Sequence, residues 1–357
     1  MKVLYALQAT GNGHISRANE ILPILETMAH VDILLSGTQA DVGLNHTVKF
    51  HKKGISFVFG KKGGIDYYAT LKLIKRKQFL QEMQSIPVEE YDFVINDFEP
   101  LSAWACRIKK NPCVALSHQY AVIGKKAPTP KKIDPMAWFL LNYYAPCSTG
   151  IGFHFENYNS YTLTPVIRSE IRNAYVRNMG HYTVYLPAYS DKKIIKVLSR
   201  FKNVQWQVFS KHSKKSYSEK NCWIRPINNH EFISSITTSQ AVLCGAGFET
   251  PAEALYMKKK LLVIPMKGQY EQHCNAAGLK KMGVPVLKKL SLKHQNKIAK
   301  WINNEDIVPV NYCDNTKQAL KRVFEIYFLM RNPLRSSTNI QNTLPILINK
   351  EEFAEIA

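Results

Sequence analysis

The chain predicts an α/β protein: two doubly wound, Rossmann-like parallel-sheet domains facing each other across a cleft. Three observations carry this. Short apolar runs alternate with segments of helical spacing through the first half, and the alternation restarts near His181. In each half a glycine-rich stretch follows an apolar run and opens a helical one. Short apolar strands separated by helices imply a parallel sheet covered on both faces. A length of 357 residues suits two domains, and a hydrophobic content of 45% allows each a sizeable core. We place an N-terminal domain at 1–165, a second at 166–330, and a tail of mixed polarity at 331–357 that packs back or frays.

The elements follow in order. "KVLYALQ" from Lys2 reads as a buried strand. The next segment, "HISRANEILPILETMA", sets Ile15, Ala18, Ile21, Leu22 and Leu25 on one helical face. "VDILLSG" (31–37) and "ISFVFG" (55–60) read as strands, and "YYATLKLIKRKQFLQEM" (67–83) as a helix. "YDFVIND" (91–97) and "PCVALSH" (112–118) are strands around a helical "PLSAWACRIKK" (100–110). Asn-rich text near "ENYNSYTLTP" breaks the alternation over roughly 155–180 and marks the linker. The second round runs "HYTVYLP", helical "DKKIIKVLSRF", "VQWQVFS", "AVLCG" (241–245), a helix from Phe248 to Met257, "KLLVIP" (260–265) and a helix through "EQHCNAAGLKKMG". The halves repeat architecture, not sequence. Ligands of open parallel sheets bind beyond the carboxyl ends of the strands, so the strand-end loops are where chemistry belongs.

Composition narrows the function classes. Lys and Arg number 48 against 27 Asp and Glu, a net charge of +21. The excess is clustered, as in "KLIKRK" (72–77), "GKKAPTPKK" (124–132) and "KKLSLKHQNKIAK" (288–300). Such clusters keep a surface solvated or attract lipid headgroups, nucleotides, polyanionic glycans or nucleic acid, and charge alone does not choose. A nucleic-acid binder needs basic strands interleaved with aromatics or a recognisable module, and neither is present. A nicotinamide-dependent oxidoreductase needs a Gly-x-Gly-x-x-Gly turn, and "GNGHISR" lacks the third glycine. Seven scattered cysteines without a Cys-x-x-Cys pair read as buried thiols in a reducing compartment. The apolar run after Lys2 is too short for a signal peptide, and no stretch approaches about 18 apolar residues. The expected location is cytoplasmic, free or at the inner face of a membrane. No His-Glu-x-x-His or Asp-x-Asp spacing occurs, so neither metal nor cofactor is expected.

Two loops carry the candidate chemistry. In "GNGHISR" (11–17), Gly11 and Gly13 allow a tight turn, and His14 stands near a helix start. The helix dipole there disfavours charge on the ring, and a neutral imidazole suits a general base. A helix cap or an interface hydrogen bond would also use His14. Arg17 shares its helix face and meets an anion or pairs with Glu20. "INDFEP" (95–100) ends another strand with Asp97 and Glu99. Asp97 either orients a base or N-caps the helix starting near Pro100. His118 and Gln119 close "PCVALSH" and point to the cleft as acceptor or sugar contacts, or as structural groups. The aromatic "DPMAWFLLNYYAP" (134–146) is core, or it meets a lipid acceptor or membrane surface.

The second loop lies in "CGAGFETPAEALYMKKKLLVIPMKGQYEQHCNA" (244–276). Gly245 and Gly247 end a strand and open a helix whose free N–H groups suit a diphosphate. Thr250 and Glu253 also have capping-box spacing. The order Gly-x-Gly, Thr-x-x-Glu, a strand ending in Ile-Pro, then Glu-Gln-x-x-Asn-Ala resembles the donor motif of GT-B-fold glycosyltransferases. The similar groups are the UDP-glucuronosyltransferase-like enzymes and the N-acetylglucosaminyltransferase that completes lipid II. The resemblance implies that Gly245, Ala246, Gly247 and Thr250 hold the diphosphate of a UDP-sugar and that Glu253 accepts from the ribose. It further implies that Glu271 and Gln272 read the donor sugar, and that the backbone around Arg225 to Ile227 reads the uracil. Plant-type members place a His where Gly245 stands, so one phosphate contact is missing or supplied otherwise. Their Gly-Lys-Pro after the helix appears here as Lys258-Lys259-Lys260.

The same resemblance gives "GNGHISR" its context: His14 is the implied base and Asp97 its carboxylate partner. The implied reaction is inverting transfer of a sugar, without metal, to a hydroxyl on a glycan, a lipid-linked or a small-molecule acceptor. A UDP-sugar hydrolase of pseudaminic acid synthesis is similar in fold and in its Gly-x-Gly-His-x-x-Arg loop, with water as acceptor.

Overall fold

The structure, a computed structural model, describes residues 1–9, 11–37, 43–54, 76–124, 126–132 and 134–332. The strand expected at 55–60, the start of the helix expected at 67–83 and the tail beyond Asn332 lie outside the described residues.

Seven strands form the first sheet: β1 (Lys2–Gln8), β2 (His30–Ser36), β3 (Phe50–Lys52), β4 (Phe93–Asp97), β5 (Cys113–Ser117), β6 (Thr149–Phe153) and β7 (Thr162–Leu163). Their order is β3-β2-β1-β4-β5-β6-β7, parallel throughout. The second sheet comprises β8 (His181–Tyr185), β9 (Gln205–Ser210), β10 (Tyr217–Glu219), β11 (Cys222–Pro226), β12 (Ala241–Gly245) and β13 (Lys260–Ile264). It is ordered β10-β11-β9-β8-β12-β13, and only β10, at one edge, runs antiparallel to its neighbour. Both sheets reverse direction of growth beside their first strand, between β1 and β4 and between β8 and β12. Such switch points open a crevice at the strand ends.

Burial explains how the first loop is anchored. The helix Asn12–Leu25 buries Ile15, Ala18, Ile21, Leu22 and Leu25, all on the face that the spacing predicts. A buried Leu or Ile contributes about 1.5–3 kcal/mol. That face, not the uncapped helix start, fixes where His14 sits. The turn after β5 is fixed differently. The short helix His118–Val122 rides against β6, where a Cβ on Gly152 would lie 2.5 Å from the backbone nitrogen of Ala121. Only glycine permits that approach, and it brings His118 and Gln119 to the sheet's end.

The last described helix, Thr316–Arg331, crosses back to the first domain although it falls within the 166–330 span. Tyr327 stacks on Phe93 of β4 at 4.5 Å between ring centroids, and Phe324 meets the same ring edge-on at 5.4 Å. All seven cysteines are free; five are buried, and Cys313 is exposed, unlike the rest of the expected set. No described helix is long and apolar enough to cross a membrane.

Candidate active site

The loops after β1 and β4 meet at the first switch point. Asp97 stands opposite Leu7 in the parallel register, which places its carboxylate below the first turn of the Asn12–Leu25 helix. Gly11 precedes that turn in extended conformation, and Gly11, Asn12 and Gly13 line the cleft. Extended backbone needs no glycine, and a Cβ on Gly11 would meet nothing within 4 Å. The tight-turn role expected for Gly11 is therefore absent.

His14 Nδ1 lies 2.9 Å from Asp97 Oδ1. A carboxylate only accepts, so Nδ1 is the donor in this contact, and in a neutral ring the lone pair falls to Nε2. Gln119 Nε2 stands 3.5 Å from that Nε2 and donates to Glu271 Oε2 at 3.0 Å. Arg17 Nη2 donates to both Asp97 oxygens, at 2.8 and 2.9 Å. Its Nη1 donates to Glu249 Oε1 at 2.8 Å, across to the second domain. Burial pushes the Asp97 carboxyl up, but Arg17 and His14 outweigh it and hold the group below the usual carboxylate range.

Two alternatives for these residues are corrected. The N-cap of the helix Pro100–Lys109 is Glu99, which accepts from the N–H groups of Leu101 and Ser102 at 2.9 and 2.6 Å; Asp97 is turned to His14 instead. Arg17 pairs with Asp97 and Glu249 and not with Glu20, which accepts from Ser169. Arg17 is buried between the carboxylates of Asp97 and Glu249.

Glu249 is a functional residue that the sequence motif does not mark, since it falls between the motif positions Gly247 and Thr250. Its signal was an acid at a helix start, where the dipole favours one. Its counterpart is Gly13: a Cβ there would stand 2.3 Å from Glu249 Oε2, so the glycine admits the carboxylate.

On the opposite wall, the Gly245–Gly247 turn after β12 opens the helix Glu249–Tyr256. A Cβ on Gly247 would meet nothing within 4 Å, so the turn faces open space. The N-cap, Phe248, supplies no side-chain hydrogen bond, and Glu253 reaches Arg168 instead of the helix start, so Thr250 and Glu253 form no capping box. Thr250 and Glu253 both line the cleft. Ala246 is fully buried, its carbonyl accepting from Asn275 Nδ2 at 3.2 Å. Gln272 Oε1 accepts from the Met266 N–H at 2.8 Å and, with Gly245, borders a recess of about 80 Å³ beside the cleft. Ile227 lines the cleft with Tyr185, Phe209 and Phe232. The Arg225 side chain turns away, paired with Glu231 at 2.9 Å and lying over the Trp223 ring.

His118 is a bridge between the domains. Its Nδ1 donates to the Phe153 carbonyl at 2.8 Å, Nε2 faces Asn275 Oδ1 at 2.8 Å, and the ring stacks on Phe248 at 3.8 Å. Burial lowers its pKa.

All these walls enclose one cleft of about 600 Å³. Its first-domain side adds Phe98, Ala137, Leu140, Leu141 and Tyr144, an apolar surface beside the His14–Asp97 pair. Tyr144 is held by Gln8, which donates to its hydroxyl. Among the described residues, no three His, Cys, Asp or Glu side chains are grouped to hold a metal ion.

Comparison with known proteins agrees with this architecture. No curated protein matches the chain in sequence. Solved structures match it in fold at low identity. The glycotransferase of kitacinnamycin superposes with a TM-score of 0.57 at 12% identity, covering 96% of this chain and 99% of that one. MurG of Acinetobacter baumannii gives 0.54 at 13%, covering 92% and 99%. UGT2 of Phytolacca americana, complexed with UDP-2fluoro-glucose and pterostilbene, gives 0.57 at 12%, covering 96% and 97%. The fold is GT-B. The sequence profile described as glycosyl transferase family 1 matches residues 1–304. The chain, an enzyme of sugar transfer, belongs to glycosyl transferase family 1.

Proposed function

We propose that the enzyme moves a sugar from a UDP-sugar to a hydroxyl acceptor by single displacement with inversion, with His14 as general base. The observation that carries this reading is the His14–Asp97 pair facing the Gly247–Thr250 helix start across one cleft. The acceptor oxygen attacks the anomeric carbon, its proton passes to His14 Nε2, and the bond from that carbon to the diphosphate oxygen breaks. The leaving charge falls to the free N–H groups at Gly247, Thr250 and their neighbours, and needs no metal in this reading. Ala246 holds the loop from behind. Glu253 takes the ribose hydroxyls, Ile227 and its aromatic neighbours the uracil, and Glu271 with Gln272 the sugar. Arg225 contributes backbone alone. The apolar wall of Ala137, Leu140 and Leu141 favours an acceptor larger than water and so transfer over hydrolysis. The UDP-2fluoro-glucose in the Phytolacca americana neighbour supports the nucleotide.

Calorimetric titration of UDP, GDP and dTDP, without added metal, tests the donor site. UDP binds wild type most tightly, and Glu253→Gln weakens it about 10- to 100-fold, because hydrogen bonds to a charged group contribute about 1.5–3 kcal/mol. Binding of no nucleotide would remove transfer and hydrolysis together.

The helix Pro135–Tyr143 supports a lipid-linked acceptor at an anionic membrane surface on the cytoplasmic side. Its inner face lines the cleft, while Met136, Trp138 and Phe139 are exposed, and the exposed Lys126, Lys131 and Lys132 precede it. Basic residues near such a surface contribute about 1 kcal/mol each. Vesicles of phosphatidylcholine with phosphatidylglycerol should co-sediment with the protein, and Lys131→Glu with Lys132→Glu should weaken this at least tenfold. Equal binding to purely zwitterionic vesicles would contradict the electrostatic part.

A further inference from the structure

Arg168 stands in the linker after β7, outside both glycine loops, and the reaction described above gives it no task. We propose that Arg168 is a positioning residue for donor recognition: it fixes the Glu253 carboxylate against the ribose and ties it to the base-reading loop. The inference rests on the reading of Glu253 as the ribose-binding carboxylate.

The geometry is that of a clamp. Arg168 Nε donates to Glu253 Oε1 at 2.5 Å and Nη2 to Oε2 at 2.8 Å. Two parallel bonds from a planar guanidinium fix the plane of the carboxylate as well as its place. A carboxylate has about four lone-pair positions, so each oxygen keeps one for a further donor. A ribose offers two such donors in its adjacent 2′ and 3′ hydroxyls. The third arm of Arg168, Nη1, donates to Asn229 Oδ1 at 2.9 Å. Asn229 begins the helix Asn229–Thr238, two residues beyond Ile227. One side chain thus holds the donor-domain helix Glu249–Tyr256 and the loop that meets the base in a fixed spacing. Arg168, Asn229 and Glu253 all line the cleft.

Charge acts in the same direction. Glu253 is almost fully buried, and burial, with Glu249 and Glu170 nearby, leaves its carboxyl above the usual range; Arg168 pulls it back down. A neutral acid would present one hydroxyl donor where the ribose needs two acceptors. A lysine could supply charge here but not the fork, so Arg168→Lys separates the two contributions.

The test titrates UDP and 2′-deoxy-UDP into the full chain, comparing wild type with Arg168→Lys and Arg168→Met. Wild type should prefer UDP about tenfold, the value of one hydrogen bond to a charged group. In Arg168→Lys, UDP affinity should fall about tenfold or more while 2′-deoxy-UDP, which keeps only its 3′ hydroxyl for Glu253, falls less, so the preference shrinks. Arg168→Met should reduce the preference as well; should it not fold, Arg168→Lys decides. An equal loss for both nucleotides, with the ratio unchanged, would mark Arg168 as merely structural and overturn the proposal. A wild type that binds UDP and 2′-deoxy-UDP equally would overturn it too. A wild type that binds neither would instead bring down the donor site itself, and this inference with it.

Discussion

His14→Ala should lower kcat for sugar transfer about 100- to 10,000-fold, the usual contribution of a general base, and leave UDP affinity unchanged. The split follows from position. His14 belongs to the first-domain wall, where its Nδ1 is committed to Asp97 and its Nε2 faces the cleft. Every residue assigned to the nucleotide lies on the other wall. The neighbouring carboxylates are already engaged: Asp97 is fully buried behind His14 and Arg17, Glu249 accepts from Arg17, and Glu271 accepts from Gln119. Asp97→Asn should also slow the reaction while UDP still binds, because an amide permits the tautomer that protonates Nε2. Single-turnover kinetics with saturating UDP-sugar measure both. A loss below about tenfold in His14→Ala would exclude the base role, since such a group contributes at least about a hundredfold.

The alternation of apolar runs and helical segments made β1, β2, β4, β5, β8, β9, β12 and β13 legible, because central parallel strands are continuous apolar runs. β6 was missed. Its text, "TGIGF", has glycines at 150 and 152, which weaken any strand signal, yet they are there to admit the helix His118–Val122. β3 and β7, three and two residues long, are too short for a period to register. The Thr316–Arg331 helix has an apolar stripe of its own, but a stripe reports that a face is buried, not against which domain. The site shows the same division. The glycine loops announced His14, Thr250 and Glu253, whereas Arg168 and Glu249 are defined by partners 85 and 232 residues away along the chain. Local pattern contains no record of such pairs. Whether Asp97 orients a base or caps the helix near Pro100 was likewise undecidable from spacing; the Glu99 cap and the His14 contact decide it.

Arg17→Met should destabilise the protein by about 3–5 kcal/mol at pH 7, the cost of leaving a buried carboxylate without its partner. Arg17 and Asp97 are both buried, and Asp97 then retains only His14. The Glu249 arm adds little to this figure because that side chain is over a quarter exposed and water screens it. The pH dependence follows from the direction of the Asp97 shift. Its folded value lies below the unfolded one, about 3.9, so the stability its partners confer is fully present above that pH and is lost as pH falls through the folded value. The Arg17→Met deficit should therefore be constant near neutrality and narrow below about pH 4. Urea unfolding at several pH values measures it. Adding Asp97→Asn removes the stranded charge, so the double variant should recover most of the lost stability while remaining slow in catalysis. That pattern separates two uses of one carboxylate: its pairing with Arg17 holds the fold at the switch point, and its charge beside His14 serves the chemistry. A deficit under about 1 kcal/mol would place the pair among screened surface ion pairs and leave its role to closing the cleft through Glu249.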